Sequence, residues 1–238
     1  PDEAFYVGVS TTRSRAYIVL DLHAKTTSEV HVLPADAPDR PFRRVQKRQR
    51  HVEYAIDHHG DHFFVLHNRR AKNFALARTP VERPGARHWE TVIAHRDDVL
   101  LEDVSTFENH LVVFEREGGL EHIRVRNLTS GAEHRVHFPE SVYTVAEGAN
   151  PEFHTHTLRF SYSSLVTPSS VFSYDMNSRR RTLLKQAPVL GGYDPKRYKT
   201  ERIFATAPDG ARVPISLVYR KGIRHDGRNP TFLTGYGS

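Results

Sequence analysis

A strand pair that returns at a nearly fixed interval limits what this chain can fold into. Asn109–Arg116 (NHLVVFER) is an apolar run of β-branched and aromatic residues and reads as a strand. Gly118-Gly119 follows as a turn, and Glu121–Asn127 reads as the partner strand. His62 stands 48 residues before His110, and the same order of His62–Asn68 then Asn73–Thr79 begins there. Leu158 stands 48 residues after His110 and opens Leu158–Ser164, followed by Ser170–Met176. A fourth copy, Tyr17–Leu22 then Glu29–Leu33, begins 45 residues before His62. Strand-only repeats of this length are the mark of β-propeller blades, in which each sheet buries its faces on its neighbours.

Two more strands complete each copy. The inner ones are Ala4–Val9, Val52–Asp57, Leu100–Thr106 and Val142–Glu147. The outer ones are Phe42–Val45, Trp89–Ala94, His134–Phe138 and Arg180–Lys185. Inner strands are expected to carry small and aliphatic residues, as at Val7, Ala55, Val104 and Val145. Four blades do not close a ring comfortably, so two apolar faces are expected to stay open and to promote self-association. Residues 1–186 are assigned to the blades and 187–200 to a Pro/Gly/Tyr/Lys-rich connector. Residues 201–238 form a different layer. There Glu201–Ala207 and Arg212–Arg220 flank Pro208-Asp209-Gly210, a hairpin signal. Pro230–Thr234 is expected as a buried strand leading into Gly235-Tyr236-Gly237-Ser238.

Composition removes several function classes. With no Cys, there is no disulfide framework, cysteine metal site or cysteine nucleophile. Apolar runs reach only about five residues, far short of a membrane span. No basic segment followed by an apolar one opens the chain as a secretory signal would, so a cytoplasmic setting is expected. The chain starts at Pro1 and stops at Ser238 directly after an apolar stretch, which suggests a piece of a longer protein. Net charge is +6, but Arg43-Arg44, Lys47–Arg50, Arg69-Arg70 and Arg179–Arg181 are short runs at turns. They read as solvated loop charge rather than a nucleic-acid site. The 16 His residues include His58-His59 with His62, and His154-x-His156, yet no motif supplies a third ligand and no metal is assigned. Glu102-Asp103 and Asp97-Asp98 are adjacent on strands, so the carboxyls of each pair point apart and make no acid/base dyad. Glu115 and Arg116 read as strand-end and turn charges. No cofactor is expected.

The tail carries the most specific signal. Val213-Pro214-Ile215-Ser216-Leu217-Val218-Tyr219, then Asn229-Pro230, then Gly235-Tyr236-Gly237-Ser238, resembles the start of the hydrolase domain of the prolyl oligopeptidase family. Thr26–Val30, His67-Asn68 with Lys72-Asn73-Phe74, Leu101-Glu102 before Leu111–Val113, and Tyr162-Ser163-Ser164 with Thr167-Pro168 are similar to its oligopeptidase B (protease II) branch. The resemblance implies an all-β fold: a partial propeller of about four four-stranded antiparallel blades, then the first strands of an α/β-hydrolase domain. It implies a serine oligopeptidase that cleaves short peptides after Arg or Lys, with the propeller acting as a size filter. It also implies the remaining blades and the hydrolase domain as partners. By the same resemblance Tyr236 is the oxyanion-hole donor. No G-x-S-x-G nucleophile elbow occurs in the sequence, so the isolated chain is expected to be inactive. The alternative reading is a non-catalytic propeller that binds a protein partner.

Overall fold

The computed structural model describes residues 5–235. Sixteen strands form four antiparallel sheets. The first holds β1 (Tyr6–Thr11), β2 (Tyr17–Ala24), β3 (Thr27–Pro34) and β4 (Arg43–Arg44). The second holds β5 (Tyr54–His59), β6 (His62–His67), β7 (Ala75–Pro80) and β8 (Glu90–Ile93). The third holds β9 (Val99–Thr106), β10 (His110–Glu117), β11 (Leu120–Asn127) and β12 (Glu133–Arg135). The fourth holds β13 (Thr144–Glu147), β14 (Thr157–Ser163), β15 (Ser170–Asp175) and β16 (Arg181–Gln186). Each sheet is a meander in sequence order, as the repeat predicts. A separate hairpin pairs β17 (Tyr198–Thr206) with β18 (Arg212–Arg220).

The cores lie between the sheets. Val30 and Val32 of the first blade pack with Phe63 and Val65 of the second. Phe64 and Leu66, on the opposite face of β6, pack with Leu111 and Val113 of the third. Val112 and Phe114, on the other face of β10, meet Leu158 and Phe160 of the fourth. Alternate residues of one strand therefore enter two different cores. Both faces of β6 and β10 are buried, which is why HFFVLH and HLVVFE read as continuous apolar runs rather than alternating ones. The β10–β11 turn needs Gly at both positions: Gly118 has φ +56° and Gly119 φ +79°, the pair of left-handed conformations of a type I′ hairpin.

Two expectations need correction. Pro230–Thr234 is not a buried strand: among the described residues it has no strand partner, and Phe232 is 90% exposed. An extended segment without a neighbouring ladder has nothing to hold its backbone groups. The small and aliphatic residues expected on the inner strands lie on β1, β5, β9 and β13, with Val145 buried, Val104 half-buried, and Val7 and Ala55 exposed. Finally, Glu115 is not a strand-end charge. It lies inside β10 at 1% exposure, bridged to Arg124 at 2.5 Å and to Arg135 at 2.7 Å. Arg124 and Arg135 face each other in the β11–β12 register, so this one carboxylate ties together three strands of the blade.

Candidate functional site

The first strand of every blade ends at the same side of the assembly, around a cavity of about 420 Å³. Thr11 closes β1, Asp57 lies near the end of β5, Ser105 near the end of β9, and Glu147 ends β13; all four line it. The β1–β2 turn sends Arg13 across this space. Its Nη2 donates to Glu147 Oε1 at 2.7 Å and to Ser105 Oγ at 3.0 Å. Ser105 Oγ donates to Glu147 Oε2 at 2.7 Å, and Asn150 Nδ2 donates to Glu147 Oε1 at 3.1 Å. The Arg13 guanidinium stands 4.5 Å above the Phe107 ring, a cation–π contact. Asp57 Oδ2 accepts from Thr106 N at 2.8 Å and from Thr106 Oγ1 at 2.6 Å, which fastens the second blade to the third. The Asp103 carboxyl is pushed above the usual carboxylate range, first by desolvation and then by Glu147 and Asp57, with Arg13 opposing. This is a cross-blade brace at one axial mouth. Ser105 donates its hydroxyl hydrogen bond to a carboxylate and, among the described residues, no imidazole is hydrogen-bonded to it, so the arrangement supports no nucleophilic chemistry.

The other end of the blades receives the hairpin. Arg202 of β17 donates to the carbonyl of Gly118, and Ser141 Oγ donates to Thr200 O at 3.4 Å. Between hairpin and blades lies a cavity of about 380 Å³ lined by Arg116, Glu121, Tyr143, Arg202 and Ser216, among others. Arg116 bridges Glu102 and Glu121, both at 2.7 Å.

The other sequence-selected residues lie apart from the brace. Tyr236 lies outside the described residues. His58 packs against Tyr17 and Phe63 and shares a hydrogen bond with Ser14 Oγ at 2.8 Å. His59 bonds the Glu108 carbonyl, and His62 bonds Asp61. His154 pairs with Glu108 and His156 with Asp175. Glu102 turns to Arg116 while Asp103 faces the axial cavity, so this adjacent pair diverges as strand geometry requires. Asp98 pairs with Arg96 at 2.6 Å, and the Asp97 carboxylate is exposed. Lys47–Arg50 is an exposed connection between the first two blades. Arg13, Asp57, Ser105 and Glu147 were missed as a group. Their common signal is position: three lie at or near the end of the first strand of a repeat, and Arg13 sits in the turn just beyond one.

Residues 1–187 match the family described as prolyl oligopeptidase, N-terminal beta-propeller domain. Over its whole length the chain is 37% identical to dipeptidyl aminopeptidase BI of Pseudoxanthomonas mexicana, of which it covers 33%. It is 31% identical to protease 2 of Moraxella lacunata, covering 34% of that protein. The fold is similar to that of oligopeptidase B from Trypanosoma brucei with covalently bound antipain, with TM-score 0.90 and 32% identity over 100% of this chain and 35% of that one. Oligopeptidase B from Leishmania major gives TM-score 0.85 and 28% identity over 94% of this chain and 33% of that one. The chain thus spans about a third of the length of the curated relatives it matches.

Proposed function

The chain belongs to the prolyl oligopeptidase family through its N-terminal β-propeller domain, and from that membership we propose that it supplies propeller blades and the opening hydrolase strands of a serine-type oligopeptidase that cleaves short peptides after Arg or Lys. The observation that carries this reading is that the likeness to oligopeptidase B runs the full length of the chain, hairpin included. The partners are the remaining blades and the hydrolase domain of the parent enzyme, which supplies Ser, Asp and His. Tyr236 donates to the oxyanion. The same proposal sets the enzyme in the cytoplasm; no helix among the described residues is long and apolar enough to cross a membrane.

The propeller's role is to limit substrate size. The Arg13–Ser105–Glu147 brace narrows the axial mouth opposite the hairpin, so only slender, flexible peptides pass. The test uses the full-length enzyme and chromogenic peptides linked through Arg, Lys or Pro. Turnover of the Arg and Lys substrates, sensitive to a serine-directed inhibitor, is expected; its absence leaves the non-catalytic interaction module. Substituting Tyr236→Phe should lower kcat about 10²–10³-fold, the usual cost of one oxyanion donor. Removing Arg13 and Glu147 together, so that neither charge is stranded, should raise cleavage of long basic peptides relative to short ones. An unchanged ratio removes the gate. The likeness to a dipeptidyl aminopeptidase favours a second reading, release of dipeptides from a free amino terminus. Comparing substrates with free and blocked amino termini separates the two.

A further inference from the structure

A smaller cavity of about 140 Å³ sits on the rim between the third and fourth blades, at the same end as the Arg13 brace. Its walls come from the start of β10, the end of β11, β12 and the β15–β16 turn. The polar side chains that line it are His110, Asn127, Ser130, His134, Asn177 and Arg179. No carboxylate lines it.

Several features point to a missing acceptor. His110 is 2% exposed, and its Nδ1 is buried without a hydrogen-bond partner. Such a group is costly to leave unmade. Asn127 spends its Oδ1 on the amides of Thr129 and Ser130, at 3.0 and 2.8 Å, so its side-chain NH₂ is the end left to donate. His134 Nε2 shares a hydrogen bond with Tyr174 Oη at 2.8 Å; when the Tyr174 hydroxyl is the donor, the proton sits on Nδ1, which can then donate. Arg179 is fixed at the turn in a left-handed conformation, φ +62°, with its amide donating to the Asp175 carbonyl at 2.8 Å. The His134 imidazole is pushed below the usual range by burial first, then by Arg179 and His110. His110 is pushed down by burial first and also by His156, while a side-chain hydrogen bond with Asn177 and the charge of Asp175 oppose. The nearby Asp175 carboxylate is committed to the amides of Asn177 and Ser178 and to His156. Donors and positive charge converge here on a space that holds about four or five waters' volume.

We propose that this cavity binds a small oxyanion of about the size of phosphate, held by Arg179, His110, His134 and the Asn127 amide. The anion supplies an acceptor for His110 Nδ1 and the counter-charge that Arg179 lacks. The test is calorimetric titration of the intact chain with potassium phosphate at constant ionic strength, with the His110 and Asn127 side-chain NMR signals followed in parallel. Acetate forms a second arm. Saturable binding of phosphate that shifts both signals, and that weakens at least about tenfold in Arg179→Asn, is the expected result. Asn tolerates the left-handed backbone, so that variant removes the charge without straining the turn. Saturation by acetate in place of phosphate, with the same Arg179 dependence, also supports the site and assigns it to carboxylate-bearing ligands. Failure of both anions to saturate, or binding unchanged in Arg179→Asn, overturns the proposal.

Discussion

Tyr54 shows how single side chains fasten one blade to the next. Its hydroxyl accepts from Val30 N at 2.8 Å and Gln46 N at 3.2 Å, and donates to Gln46 O at 2.7 Å. Burial pushes this phenol up to about 12. Replacing Tyr54 with Phe keeps the ring in the core between the first two blades but leaves the buried Val30 amide without that acceptor, so a loss of about 1–3 kcal/mol is expected in urea unfolding. A loss below about 0.5 kcal/mol would show that water replaces the hydroxyl. Histidines set the acid response. His67, against the Trp89 ring, is pushed down to about 4 by burial and by Arg69. Burial also lowers His58, His110, His122 and His134. The folded chain holds these imidazoles neutral where the unfolded chain protonates near 6.5, so stability is fullest above that pH and falls as pH drops toward about 4. The share of His67 is at most about 3 kcal/mol and less to the extent that water reaches the ring. Unfolding midpoints at pH 7 and 4.5 should differ less in His67→Gln than in the unaltered chain, and equal differences would remove His67 from the acid response.

At the scale of elements, the β10–β11 turn does two jobs. It joins two strands of the third blade, and it receives the β17–β18 hairpin. A Cβ on Gly119 would stand 3.1 Å from Arg202 Nη2 and 3.4 Å from Pro214 Cγ, whereas a Cβ on Gly118 meets nothing within 4 Å. Both glycines have positive φ, so Gly118→Ala and Gly119→Ala should each destabilise the turn by roughly 1–2 kcal/mol. Only Gly119→Ala should also loosen the hairpin, seen as faster amide exchange across β17 and β18. Equal exchange in the two variants would show that Arg202 and Pro214 yield without undocking. These elements differ in how far the sequence reveals them. β6 and β10 are legible because a strand buried on both faces must be apolar throughout. The Gly118-Gly119 turn is legible because its backbone admits few other residues. Glu115 is not, because a charged residue at the end of an apolar run looks solvent-directed until Arg124 and Arg135 are placed beside it. The axial brace is hidden for a similar reason: Arg13 and Glu147 lie 134 residues apart and meet only when four blades curve around one axis. Pro230–Thr234 has strand composition but no ladder among the described residues, and composition alone does not supply one.

For the molecule as a whole, the decisive fact is where apolar surface remains uncovered. The three cores join the first blade to the second, the second to the third, and the third to the fourth. Among the described residues, the outward sides of the first and fourth blades have no such core. Tyr6, Val7 and Val9 of β1 stand exposed, as do Leu183 and Leu184 of β16. The hairpin shows the same imbalance, with Ile203, Phe204, Val213 and Val218 exposed. Sheet faces of this composition bury themselves against whatever complementary face is available. In the proposed parent enzyme those faces belong to further blades and to the hydrolase domain. For the 238-residue chain alone, the nearest complementary face is that of a second copy. Light scattering over a hundredfold range of concentration should therefore give a mass that rises above that of the monomer. Polar substitution on the first blade, Val7→Thr with Val9→Thr, should move that rise to higher concentration, because the two side chains share one face of β1. If the chain stays a monodisperse monomer throughout, the exposed blade faces are tolerated by water, and the force that closes the propeller must come from the axial brace rather than from the cores between blades.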